Sequence, residues 1–316
     1  MADFLSTIQF ALTVTGPIIV ILILGIFLAR IGILTDAFID SGSKLVFNVL
    51  LPSMLFITIS KTGFSGVANF KLITVGIVGT LFVYLLLELL ANYLVTPAEE
   101  RGVVVQGGFR SNMGIIGLAY CVNGYGEAGL AAASLYLGIV TILFNVLAVI
   151  TLNRSLNRHR SMLQSFRDIG TNPLIVGILL ALPVAWWEVE IPFVLLRAGD
   201  YFAQMTLPFA LLVTGASLSL RVLRYETFNA MFASGCKLIF VPVLLTGGGI
   251  LVGLRGMELG VLFMMTSAPT AAASYVMVRA MGGNPALAAN IVVVTTLGSL
   301  LFTSIGIASM RGLGLI

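Results

Sequence analysis

The sequence predicts an all-α integral membrane protein: ten transmembrane helices in two inverted five-helix repeats, with helices 4 and 9 broken. Three observations carry this: an apolar composition, ten apolar stretches of spanning length, and self-similarity at half the chain length. Of 316 residues, 59% are hydrophobic and 9% charged, and the mean hydropathy is +1.08, whereas soluble domains carry about 25% charged residues. The charges fall between apolar runs, and Phe4–Ala29, Ala128–Asn153 and Ala280–Met310 hold none. Disorder and most soluble enzyme folds are thereby excluded. So is a membrane β-barrel, whose strands alternate apolar and polar residues, because Ile18–Leu24 is apolar at every position.

A helix needs roughly 20 apolar residues to cross the hydrocarbon. Taken in order, the stretches lie near residues 10–29, 42–60, 71–95, 102–124, 128–152, 172–187, 200–220, 229–254, 258–279 and 285–309. The first lacks a basic leader, with Asp3 its only early charge, and is read as a retained span. Lys and Arg counts orient the chain. Arg30, Lys44, Arg101, Arg154, Arg158, Arg160, Arg167, Arg221, Arg224 and Arg279 fall on one side; Lys61, Lys71, Arg197, Arg255 and Arg311 fall on the other. The richer side is expected to be cytoplasmic, which leaves both termini outside. The basic residues form no continuous patch, so no nucleic-acid partner is expected.

The halves repeat. Gly102–Phe144 aligns without gaps on Gly260–Phe302, and upstream Pro17 falls on Pro173 and Leu51-Pro52 on Leu207-Pro208. Five spans per unit is an odd number, so the second unit must enter the membrane from the opposite face, as in many secondary transporters. The expected organisation is a first repeat over 1–152, a cytoplasmic basic loop over 153–171 and a second repeat over 172–316.

Spans 4 and 9 carry poor helix formers at mid-depth: Gly107, Gly108, Ser111, Asn112, Gly114 and Gly117 in one, Ser267, Pro269, Thr270 and Ser274 in the other. Freed backbone groups at that depth are tolerated only beside a cavity or buried protein, so two facing breaks are expected, with Ser111 aligned on Pro269 and Asn112 on Thr270. Half-helix N-termini there favour an anion. Arg110, nine residues beyond Arg101, lies near the bilayer centre, either to attract a carboxylate or to pair with Glu88. Lys237 sits near a span end, from which its stem could reach outward. Glu88 could carry a coupling proton or serve packing. Asn48 and Ser53 flank Pro52, Gln204 occupies the matching place in the second half, and Ser134, Asn145 and Asn290 read first as interhelical hydrogen bonds.

No Asp occurs between Asp40 and Asp168 or after Asp200, which leaves the chain poorly equipped to hold a bare cation. With one His, the basic-loop His159, and two distant Cys, Cys121 and Cys236, no metal site, cofactor or enzyme active site is expected.

The segments FRSNMGIIGL (109–118), LPFALLVTGASL (207–218), SAPTAAASYV (267–276) and the stretch over 28–56 resemble signatures of the auxin efflux carrier family. The resemblance covers nearly the whole chain. It implies a scaffold of spans 1, 2, 6 and 7, a transport domain of spans 3–5 and 8–10 with broken, crossing helices 4 and 9, and a homodimer through the scaffold. It also implies Asn112 as the crossover Asn facing a substrate carboxylate and Pro269 as the ninth-span crossover Pro. Met113 and Ala119 stand where family members commonly have Thr and Pro, so a shallower fourth-span break or a different substrate is expected. The short central loop resembles bacterial carriers of malonate, malate and related acids, which implies a multi-pass protein of the bacterial inner membrane. The function implied is alternating-access transport of small mono- or dicarboxylates. The expected binding set is Asn112, Arg110, Ser111, Gly114, Pro269, Thr270, Ser274, Asn48 and Ser53, with Glu88 and Lys237 as coupling or structural charges. A bile-acid-type sodium symporter and a ligand-binding receptor without transport are the alternatives.

Overall fold

The computed structural model describes residues 2–62, 70–156, 172–218 and 228–316. Among them the chain is helical almost throughout: α1 (Ala2–Arg30), α2 (Asp36–Leu45), α3 (Leu51–Thr62), α4 (Phe70–Leu94), α5 (Arg101–Phe109), α6 (Leu118–Ser155), α7 (Pro173–Trp186), α8 (Phe193–Ser217), α9 (Phe228–Gly235), α10 (Val241–Leu251), α11 (Gly256–Ser267), α12 (Ala273–Met281) and α13 (Pro285–Gly312). Six helical stretches are long and apolar enough to cross a membrane: Ser6–Arg30, Asp36–Lys61, Phe70–Leu94, Met113–Ser155, Phe228–Leu251 and Pro285–Gly312. The chain is therefore a multi-pass helical membrane protein.

The difference between six and ten has local causes. Met113–Ser155 is one helical stretch of 43 residues, about 65 Å if straight, where the sequence separates two spans. Gly126 divides it, with φ 60° and ψ −146°, a conformation that a Cβ would oppose. Pro173–Trp186 and Gly256–Ser267 are apolar but shorter than a full crossing, and α8, long enough at 25 residues, carries Arg197, Asp200 and Gln204 and falls outside the six. Residues 157–171 and 219–227, with Arg158, His159, Arg160, Arg167, Arg221 and Arg224, lie outside the described residues.

Two of the prolines shape their spans without ending them. Pro52 and Pro242 each lack the N–H that an α-helix needs, and each follows a five-residue π-turn, Val46–Leu50 and Cys236–Phe240. The wider turn takes up the missing bond and the ring clash. Thr206 of α8 donates to the Leu50 carbonyl at 3.0 Å, fastening α8 to the first of these turns.

Helix α1 packs along α8, and α3 along α7 and α8. At the α1–α8 contact the backbones meet: a Cβ on Gly25 would lie 2.3 Å from the Leu212 carbonyl oxygen, and one on Gly215 2.3 Å from that of Leu22. Small residues permit this approach where lipid supplies no hydrophobic drive between helices. Helices α4, α5 and α6 pack together, as do α10, α11 and α6. One continuous apolar cluster joins all of these, from Val14 through Leu51 and Tyr136 to Met265. At one end of the bundle Glu100 holds three elements, accepting from Asn229 at 2.5 Å and from Asn284 at 2.8 Å, while Asn284 also caps α13.

Candidate functional site

Two helices stop inside the bundle and their ends bind each other. Helix α5 ends at Phe109, Arg110 turns extended (φ −79°, ψ 114°), and a π-turn, Met113–Gly117, resumes the helix after Asn112. Helix α11 ends at Ser267, and Ala268 has φ −56° and ψ 142°. That is the extended region forced on a residue before proline, here Pro269. The two gaps then pair as antiparallel backbone, with Ser111 opposite Thr270. The Asn112 N–H donates to the Pro269 carbonyl at 2.6 Å and the Ala271 N–H to the Arg110 carbonyl at 3.2 Å. The gapless alignment, which sets Ser111 on Pro269 and Asn112 on Thr270, agrees with this pairing: exchanging the halves turns the Ser111–Thr270 pair into Pro269–Asn112, the pair joined by the 2.6 Å hydrogen bond. The break after α5 spans Arg110–Asn112 even with Ala119 in place of the family's Pro.

Side chains answer the carbonyls that the breaks leave open. The Thr270 hydroxyl donates to the Gly107 carbonyl at 2.6 Å, while its own N–H goes to Thr295 Oγ1 at 3.1 Å. Lys237 Nζ donates to the Thr266 carbonyl at 2.7 Å and to Ser111 Oγ. Lys237 is wholly buried, so its stem does not run outward.

Beside the paired gaps lies a cavity of about 260 Å³. Arg110, Asn112 and Gly114 line it from one break, Ala271–Ala273 from the other, and Thr141, Asn145 and Asn172 from helices facing them. Both resumed helices thus point their first turns at this space. The Arg110 guanidinium donates to Asn145 Oδ1 at 2.7 Å and to Met277 Sδ at 3.1 Å. Both partners are neutral, and the two ion pairs among the described residues are Lys61–Asp200 and Arg154–Glu88. Arg110 is 8% exposed, so its positive charge is buried at the cavity with no carboxylate against it. The Asn112 side chain makes no capping hydrogen bond to its own helix. Phe144 walls the cavity and is braced edge-on by Phe109 at 5.6 Å between ring centroids.

The expected residues therefore separate. Arg110, Ser111, Asn112 and Gly114 share the cavity. Pro269 and Thr270 hold the crossing from behind, through its carbonyl and its two hydrogen bonds. Ser274 is buried with its hydroxyl unbonded, and Asn290 is buried on α13. Asn48 and Ser53 line a neighbouring cavity of about 480 Å³ that meets the first at Pro173. Gln204 is exposed on α8. Glu88 does not pair with Arg110: it receives hydrogen bonds from Thr151 and, at 3.2 Å, from Arg154. Among the described residues there is no cluster of metal-ligating side chains, and Cys121 and Cys236 are both buried and free. Sequence reasoning missed Thr141, Asn172 and Phe47 as cavity residues. Thr141 had a signal, since it and Asn145 are spaced i, i+4 on one helical face.

The profile of the family described as "Membrane transport protein" matches residues 10–165 and residues 157–307. The chain belongs to this membrane transport family. The resemblance to the auxin efflux carriers rests on the same match. An uncharacterized transporter of Methanocaldococcus jannaschii is 28% identical over 290 residues, covering 90% of this chain and 94% of that protein. Another, from Methanothermobacter thermautotrophicus, is 24% identical over 259 residues, covering 80% and 83%. Within the family the paired breaks make a transport reading concrete, because a carrier must bring binding groups to mid-membrane without exposing bare backbone to lipid.

Proposed function

We propose that this membrane transport protein is a secondary carrier of small organic anions, mono- or dicarboxylates, working by alternating access. The observation that supports this most is the buried Arg110, held by neutral partners on a cavity faced by two resumed helices. A carboxylate entering there gains the guanidinium, the Asn112 amide and the leading N–H groups of both half-helices, each favourable to negative charge. Arg110, Asn112, Ser111 and Gly114 are the proposed substrate contacts. Pro269, Thr270 and Ser274 serve the crossing, while Asn48 and Ser53 belong to the adjoining cavity as an approach. At about 260 Å³ the space falls below the roughly 300–1,000 Å³ of sites for drug-sized ligands, which favours a short-chain acid over a bile acid.

The proposed architecture is ten crossings: α1, α2–α3, α4, α5 with residues 113–125, residues 127–155, α7, α8, α9–α10, α11–α12 and α13. Two observations favour an inverted repeat. The interruptions fall in crossings four and nine, and α1 with α8 mirrors α7 with α3 when the halves are exchanged. The scaffold would be spans 1, 2, 6 and 7, and the moving part spans 3–5 and 8–10. A homodimer through the scaffold fits the apolar surface at Leu179, Leu180, Val194 and Leu195, each more than half exposed. We place the protein in a bacterial inner membrane from the short central loop, with both termini outside the cytoplasm from the basic-residue count.

Uptake of labelled malonate and malate into proteoliposomes tests the function. The wild type is expected to accumulate at least one of them, and Arg110→Ala and Asn112→Ala each to lower uptake about tenfold or more, in line with 1.5–3 kcal/mol for a hydrogen bond to a charged group. Binding that shifts the melting temperature without any uptake would instead indicate a receptor.

A further inference from the structure

The crossing has two chemically opposite sides. One faces the cavity with Arg110 and the first turns of the resumed helices. On the other lie the C-terminal ends of α5 and α11, whose Gly107 and Thr266 carbonyls lost their helical partners where the chain left the helix. Two converging C-termini carry partial negative charge. In carriers with interrupted helices, unwound carbonyls and such C-terminal ends are where a sodium ion or proton is held. Here that place is taken by a side chain. Lys237, 0% exposed, comes from the π-turn Cys236–Phe240 and puts Nζ 2.7 Å from the Thr266 carbonyl, with a second hydrogen bond to Ser111 Oγ. Neither ion pair among the described residues involves it.

We infer that the Lys237 ammonium is a tethered cation standing in for a coupling sodium ion at the carbonyl side of the crossing, so that the protein runs without sodium. The ammonium faces the end of α11 as a bound cation would, the Gly107 carbonyl at the end of α5 being answered by Thr270, and because it is covalently attached it does not leave with the substrate. Its link to Ser111 joins it to the paired gaps themselves. This deepens the carrier reading and rests on it only for the uptake measurement below.

The test uses the purified full-length protein. The melting temperature of the wild type is expected to be the same in choline, ammonium and sodium chloride at equal ionic strength. Lys237→Ala vacates the place of the ammonium beside the Thr266 carbonyl and the Ser111 hydroxyl, which lie 3.4 Å apart. Its melting temperature is expected to rise by about 2 °C or more when about 100 mM sodium or ammonium replaces choline, through binding to the folded state. A variant indifferent to both cations, or a wild type stabilised as much as the variant, overturns the inference. If Lys237→Ala does not fold, the wild type and Lys237→Arg decide: malonate uptake by both should change less than twofold when choline replaces sodium, and a sodium requirement overturns the inference. The thermal comparison contains no carboxylate. A chain that transports no acid therefore defeats the proposed function, while the role of Lys237 is still judged by the melting temperatures.

Discussion

Arg110 and Asn145 meet across the cavity at 2.7 Å, and this contact separates charge from packing. In Asn145→Asp a carboxylate would face the buried guanidinium, satisfying it while cancelling the positive potential offered to a substrate. The expected outcome is an unchanged or raised melting temperature together with at least a tenfold loss of the malonate-induced thermal shift. Asn145→Ala keeps the charge but removes its acceptor, and should lower both stability and binding, since a buried donor left unmade costs about 1–3 kcal/mol. If both variants bind malonate as the wild type does, Arg110 has no part in recognition. Behind the crossing, Thr270→Val removes the hydroxyl that answers the Gly107 carbonyl. A fall in melting temperature is expected there, readable by differential scanning fluorimetry, even though the valine nearly matches threonine in shape.

For the helices as elements, spacing and breaker chemistry carried much of the reading. Asn112 and Pro269 marked the two interruptions, because each weakens a helix by a mechanism local to its own backbone, whereas Gly107 and Gly108 stay helical within α5. The same logic did not foresee the π-turns before Pro52 and Pro242. A proline at mid-span states that one hydrogen bond is missing, but whether the helix breaks or widens depends on neighbours such as Thr206. The α1–α8 contact gives a test at this scale. Gly25→Val would force a side chain into the Leu212 carbonyl, and overpacking of this kind typically costs about 1–3 kcal/mol. A clear fall in melting temperature is expected, whereas Gly16→Ala on the same helix, with open space around it, should leave the temperature within about one degree.

Across the whole molecule, the proposed rocking motion requires the cavity walls to separate. Phe47, in the π-turn between α2 and α3, and Ala272, at the second break, line the cavity from opposite parts of the bundle. In a double variant Phe47→Cys with Ala272→Cys, a thiol-bridging reagent that spans the cavity should stop malonate uptake, and a reductant should restore it. Uptake that continues with the bridge formed, as judged by mass spectrometry, would rule out separation of those walls. The Glu100 hub, by contrast, ties the ends of α5, α9 and α13 into one unit. Glu100→Ala is expected to loosen these ends, seen as faster amide exchange at Asn229 and Asn284.

The sequence alone determined the membrane class, the positions of the two interruptions and the family likeness, because hydropathy, proline and glycine act through the solvent and the local backbone. It also put Arg110 and Asn112 at the interruptions. The choice of partners waited for the tertiary structure: Arg110 with Asn145 instead of Glu88, and Lys237 with the Thr266 carbonyl instead of the membrane edge. Those pairings join residues far apart along the chain. Which groups meet there is settled by how helices pack and which backbone atoms the breaks leave open, and no local pattern encodes either.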